Sequence, residues 1–196
     1  MLEKWVDENG NAKVDEKGNY TTFATNEDIE YGEALRNSGP DGEAQFDYLV
    51  SSKAQNIQID FLPVDMGGEN LYYMGQIYNN FNTDKNGNVT KINSSRIEIY
   101  KNTSISLVAD INKGKLRTGE KIEGDYKIIK DKKLKPIDNI ISIISHELGH
   151  TTKENQQMMI DEKKSTYKYD PNKDNSETIP EQNRTNILKQ VKIQIK

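Results

Sequence analysis

Two histidines are all that this 196-residue chain contains, and they stand four apart in His146-Glu147-Leu148-Gly149-His150. Residues at that spacing stack on one face of a helix, so both imidazoles can reach one tetrahedral ion while the glutamate falls beside the position left open. Such a use restricts the fold. The helix must be anchored on one side and open on the other, and a further ligand must come from another element. Two histidines placed at random fall four apart on the order of one time in a hundred, before any glutamate is required.

The flanking residues supply the anchor. Pro136 and Asp138 start a helix, and Ile140, Ile144 and Leu148 form an apolar row from which His146, Glu147 and His150 are displaced. Gly149 is a poor helix former, costing about 1 kcal/mol relative to alanine, so it marks a helix end or a close backbone crossing. With zinc in place, a bound water is acidified to a pKa of about 7 and Glu147 takes its proton as general base, which is the chemistry of peptide hydrolysis.

A catalytic site of this type keeps three protein ligands. No other histidine and no cysteine exists, so the third must be a carboxylate, which points to the His-His-Glu class. The downstream acids are Glu154, Asp161, Glu162, Asp170, Asp174, Glu177 and Glu181, most of them in a lysine- and asparagine-rich stretch that reads as loop. Ser176 and Pro180 announce a final helix through Ile187, Leu188 and Val191, with Glu177 just ahead of its regular turns and Glu181 in the first one. Glu177 is the expected ligand and Glu181 its alternative, an acid that equally suits a helix N-terminus. An oxyanion donor is also required, and Tyr167, Tyr169 and Arg184 are the candidates.

The chain suits a single domain over 1–196, with an N-terminal hairpin region at 1–22, helices and sheet over 23–135, and a zinc-binding helical part over 136–196. Hydrophobic residues make up only 33% and charged residues 30%, so the core is modest and the loops generous. A net charge of -4 gives nucleic acid no basic footprint. The lysines at 130, 132, 133 and 135 read as a solvated linker before the zinc helix. The N-terminus lacks a signal-peptide apolar run, and no stretch has the length of a membrane span.

Asp7 to Asn11, Asp15 to Asn19 and Asp84 to Asn88 share one turn pattern, with glycine too early for a calcium loop. A helix capped by Thr25 and a second over about 41–51 follow the first two turns. Strand alternation appears at Ile57, Ile59 and Phe61 and again over Arg96-Ile97-Glu98-Ile99-Tyr100, with a further strand near Tyr72-Tyr73 joined through the Asp84 turn. The sum is an α+β arrangement with a small mixed sheet, an active-site helix and a closing C-terminal helix.

Together with Trp5-Val6-Asp7, Phe23-Ala24-Thr25, Tyr31-Gly32-Glu33-Ala34-Leu35, Phe46-Asp47-Tyr48-Leu49 and Glu177-Thr178-Ile179-Pro180, the zinc motif resembles the zinc metallopeptidase-like toxin domains of bacterial Rhs-repeat and related polymorphic toxins. The resemblance runs over nearly the whole chain and implies a zincin-like fold, with an edge strand above the active-site helix that pairs with an extended peptide. Arg96, Ile97, Glu98, Ile99 and Tyr100 are the candidates for that strand. It further implies a secreted or delivered effector, a protein or peptide substrate and a cognate immunity protein. Two other readings compete: a catalytically silent binding module on the same fold, and a hydrolase of a non-peptide amide such as a cell-wall linkage.

Overall fold

A computed structural model of the chain describes residues 5–51, 55–63, 74–164 and 173–191. Within them the elements run β1 (Trp5–Val6), α1 (Asn26–Arg36), α2 (Pro40–Ser51), β2 (Asn56–Leu62), β3 (Gly75–Thr83), β4 (Val89–Tyr100), α3 (Lys101–Asn112), α4 (Gly124–Lys132), α5 (Pro136–Gly149), α6 (Lys153–Glu162) and α7 (Thr178–Gln190). The α+β class expected from the sequence is the one found. Tyr72 and Tyr73 lie outside the described residues.

The three aspartate turns are built alike. In each, the carboxylate accepts backbone N–H bonds from the residues two and four further on, at 2.8 to 2.9 Å. Gly10, Gly18 and Gly87 each take a φ near +80°, a region that side chains with a Cβ rarely enter. The first two turns fold the N-terminal segment into bridges between Val6 and Ala12 and between Val14 and Tyr20, and the third joins β3 to β4 as a hairpin. A buried ion pair at 2.8 Å, Lys13 to Asp28, ties this segment to α1. Thr25 caps that helix, and the Asp28 side chain reaches back to the Thr25 backbone.

The strands form one mixed sheet in the order β1-β2-β4-β3. β2 pairs parallel with β1 and β4, and β3 pairs antiparallel with β4. One correction follows for the expected edge strand. Residues 96–100 lie in an interior strand, where Ile97 faces Ile59 on one side and Ile77 on the other, so their backbone groups are already taken by two neighbours. The terminal strand on that side, among the described residues, is β3. Alternation correctly marked 96–100 as a strand, but position within a sheet depends on pairing partners that alternation does not encode.

Ile57, Ile59, Ile97 and Ile99 are buried to 1% exposure or less and meet Ile140, Ile141, Ile143, Ile144 and Leu148 of α5 in one core cluster that also takes in Trp5, Leu35, Ile111 and Leu188. Burying each aliphatic side chain of the Ile140, Ile144 and Leu148 row is worth roughly 1.5–3 kcal/mol, which fixes α5 against the sheet. Polar side chains alternate with these isoleucines, among them Asp60, Arg96 and Glu98: Arg96 binds Asp60 at 2.8 Å and Glu98 at 3.1 Å.

Three helices appear where the sequence suggested none. α3 follows β4 directly and buries Leu107, Val108 and Ile111 despite its serines, threonine and asparagines. The lysine run is not a linker. Lys130 and Lys132 occupy the last turn of α4, which buries Ile129, and the helix stops at Lys133 in the left-handed conformation. Cations suit that end of a helix, so the charge run and the helix are compatible. α6 carries Glu154, Asp161 and Glu162, which the sequence placed in loop. Among the described residues no helix is long and apolar enough to cross a membrane.

Candidate metal centre

α5 begins at Pro136, and the Asp138 carboxylate accepts the Lys135 backbone N–H at 2.7 Å. It ends at Gly149, with His150 as its C-cap residue. The two histidines therefore occupy the last turn and the helix terminus, still four residues apart on one face.

Gly149 is explained by a crossing. A Cβ at this position would lie 2.9 Å from Cα and 3.0 Å from N of Pro180, so α7 passes over α5 with backbone against backbone. The Asn183 side chain adds a bond to the Ser145 carbonyl at 3.4 Å. The helices run antiparallel through this contact, since Gly149 meets Pro180 while Ser145 meets Asn183. That brings the residue just before α7, Glu177, over the histidine pair.

The outcome is three converging ligand atoms. Nε2 of His146 and Nε2 of His150 are 3.3 Å apart, and Oε2 of Glu177 is 3.4 Å from the first and 3.6 Å from the second. A tetrahedral ion with bonds of about 2.0–2.1 Å needs ligand atoms about 3.3–3.4 Å apart, so this triangle matches one face of such a site. His146, His150 and Glu177 form a group able to hold a metal ion. Glu181, the alternative, is not in that group; it lies in the first turn of α7, where burial raises its pKa.

Exposure grades across the triangle. The His150 side chain is 6% exposed, His146 17% and Glu177 55%, so the site is rooted in the core and opens at the carboxylate. Burial, then the neighbouring His150 ring and the Arg184 guanidinium, lowers the pKa of His146 to about 3, while the Pro180 backbone acts weakly the other way. The ring is thus neutral at ordinary pH, the form that coordinates. Its Nδ1 is buried with no hydrogen bond of normal geometry among the described residues. Nδ1 of His150, in contrast, sits 2.9 Å from the Asn155 side-chain oxygen.

Glu147 is 6% exposed, and burial followed by the Glu177 charge raises its pKa to about 8. A divalent cation at the triangle would oppose that shift and favour the carboxylate. The side chain lies against the start of β3. A Cβ on Gly75 would come within 2.9 Å of Glu147 Oε1 and 2.8 Å of Ile143 Cγ2, so the glycine makes room for the carboxyl group. Further along β3, Asn79 donates to the His150 carbonyl at 3.0 Å and to Gln156 at 2.8 Å, which secures the strand to the end of α5.

Of the other candidates, Tyr167 and Tyr169 lie outside the described residues. Arg184 is 11% exposed, 3.6 Å from Asp125 and 6.0 Å from the Tyr126 ring, with Nε and Nη2 buried and unbonded among the described residues. Its charge is felt at His146, so it belongs to the surroundings of the site. Arg96 lines a cavity of about 370 Å³ with Asp7, Gln58 and Tyr78, and no metal-group residue shares that cavity. Gly75, Asn79 and Asn155 were not singled out in the sequence, and Ser176 was read only as a helix-start signal. Of the first three only Gly75 carried a local signal, a glycine at a strand start, and the others act through contacts across the fold. No family model, no curated protein and no solved structure matches the chain.

Proposed function

We propose that this domain is a zinc-dependent endopeptidase of zincin-like construction, with His146, His150 and Glu177 as ligands and Glu147 as the general base. The observation that carries the reading is the ligand triangle, with edges of 3.3, 3.4 and 3.6 Å, set beside a buried glutamate. Two imidazoles and one carboxylate with a position left over are the donor set of catalytic zinc. Zinc bound there supplies Lewis-acid polarisation of a carbonyl and an acidified water. Glu147 would take a proton from the attacking water and return it to the leaving amine. A site serving structure alone has no use for a buried acid at this position.

The substrate reading rests on β3. It is a terminal strand of the sheet among the described residues, and its first residue, Gly75, lies against Glu147. An extended peptide paired along such an edge would carry its scissile bond past the base, and selectivity would then come from side chains alternating along the strand. Arg184 is the oxyanion candidate within the described residues, beside Tyr167 and Tyr169, which lie outside them. The resemblance to polymorphic-toxin metallopeptidases adds delivery to a target cell and an immunity protein covering the site.

The test compares wild type and Glu147→Gln for zinc content and for cleavage of an unfolded protein, with purified peptidoglycan in parallel. Cleavage of protein by wild type, and its loss by at least 100-fold in a zinc-loaded, folded Glu147→Gln variant, supports the proposal. Full activity in the variant removes Glu147 as base. Zinc-loaded wild type that cleaves only peptidoglycan moves the site to a different amide, and cleavage of neither favours the binding module.

A further inference from the structure

The two histidines of the triangle differ in how their rings are held, and the difference leads to α6. Asn155, 1% exposed, stands in the first turn of that helix, where its backbone N–H is bound by Thr152 Oγ1 at 3.1 Å. Its side-chain Nδ2 donates to the Ser176 carbonyl at 2.5 Å, and its Oδ1 is 2.9 Å from His150 Nδ1. The Ser176 carbonyl can only accept, so the amide's NH2 must face it and the oxygen must face the ring. An oxygen there requires His150 Nδ1 to donate. The proton is then on Nδ1, and the lone pair on Nε2 points to His146 and Glu177.

The same amide acts on the third ligand. Ser176 immediately precedes Glu177, and its N–H and hydroxyl are both bound by the Glu162 carboxylate at the far end of α6, the first at 2.7 Å. Glu177 itself is more than half exposed, and its own backbone N–H binds Asn175 at 2.9 Å. The carboxylate therefore owes its place to the segment behind it, which α6 holds at two points.

We infer that Asn155 is the positioning residue of this metal site: one buried side-chain amide sets the tautomer of His150 and fixes the backbone that presents Glu177. The inference rests on the metal-site reading but not on catalysis. Partners of this kind behind metal-bound histidines typically govern affinity by 10–100-fold. Here the expected effect is larger for Asn155→Leu, which breaks both bonds, than for Asn155→Asp, which keeps an acceptor for His150 and loses the donor to Ser176.

Zinc affinity is measured by competition with a chromophoric chelator for wild type, Asn155→Leu and Asn155→Asp, with circular dichroism to establish folding. Asn155→Leu is expected to bind at least tenfold more weakly, with Asn155→Asp between it and wild type. Folded Asn155→Leu that binds zinc within twofold of wild type overturns the inference. Long-range 1H–15N correlation spectra of zinc-loaded wild type give a second readout that stands even where Asn155→Leu does not fold. They are expected to place an exchange-protected proton on His150 Nδ1, and a proton-free Nδ1 overturns the assignment. Wild type that takes up no zinc overturns the metal reading and this inference with it, whereas zinc-binding but inactive wild type leaves the inference standing and fails only the proposed catalysis.

Discussion

Replacing Gly149 with alanine sets two effects of opposite sign against each other. In a helical conformation alanine gains about 1 kcal/mol over glycine. Against that, the new methyl would lie 2.9 Å from Pro180 Cα, 3.0 Å from Pro180 N and 3.1 Å from Asn183 Nδ2. Non-bonded carbons settle at about 3.5–4.0 Å, so α7 must retreat by roughly 0.5–1 Å. The nearest atoms are backbone and cannot rotate aside. Overpacking of this kind costs about 1–3 kcal/mol, which leaves a net destabilisation of up to about 2 kcal/mol. The retreat also carries Glu177 away from the histidines and stretches the 3.4 and 3.6 Å edges. A tetrahedral ion needs those edges at about 3.4 Å, so zinc affinity should fall by about tenfold or more. Urea unfolding of the metal-free protein and chelator competition measure the two effects separately. A Gly149→Ala protein that is about 1 kcal/mol more stable and binds zinc as wild type does would refute the packing argument, because helix propensity alone would then account for the result.

Two further outcomes are expected. In the metal-free protein, Glu147, with its pKa raised to about 8, holds its proton more tightly when folded, so its contribution falls as pH rises from about 4.5 to 8. His146, lowered to about 3, favours the fold above about 6.5, and that contribution is lost as pH falls towards 3. The two slopes, each about 1.4 kcal/mol per pH unit, cancel between about 4.5 and 6.5 and leave an alkaline decline that Glu147→Gln should remove; urea midpoints across pH check this, and equal declines in both proteins would exclude Glu147 as the source. Glu177→Ala should weaken zinc binding more than Glu181→Ala does, and the reverse order by chelator competition would transfer the ligand role.

Much of the site is local and could be read directly. The spacing of His146 and His150, the anchoring row Ile140, Ile144 and Leu148, and the helix start at Pro136 all follow from helical periodicity within a single element. The turns at Asp7, Asp15 and Asp84 are equally local, each closing within five residues through its own aspartate. Helices α3, α4 and α6 escaped notice because their polar residues dilute the periodic signal. α4 and α6 bury few residues and α3 mixes polar with apolar ones on its buried face, so all three need the rest of the core to become favourable.

By itself the sequence determined which residues could bind a metal: with two histidines and no cysteine, a third ligand would have to be an acid. It also narrowed the choice to Glu177 or Glu181, through helix-start signals at Ser176 and Pro180. Only the tertiary structure brings Glu177, and not Glu181, against the two histidines, because the distance from α7 to α5 is set by the contact of Gly149 with Pro180 and by the hold of α6 on Ser176. Likewise, only sheet pairing decided that β3 rather than residues 96–100 forms the terminal strand beside Glu147. Periodicity tells which way a side chain faces, whereas the neighbour it meets depends on contacts between residues far apart in the chain.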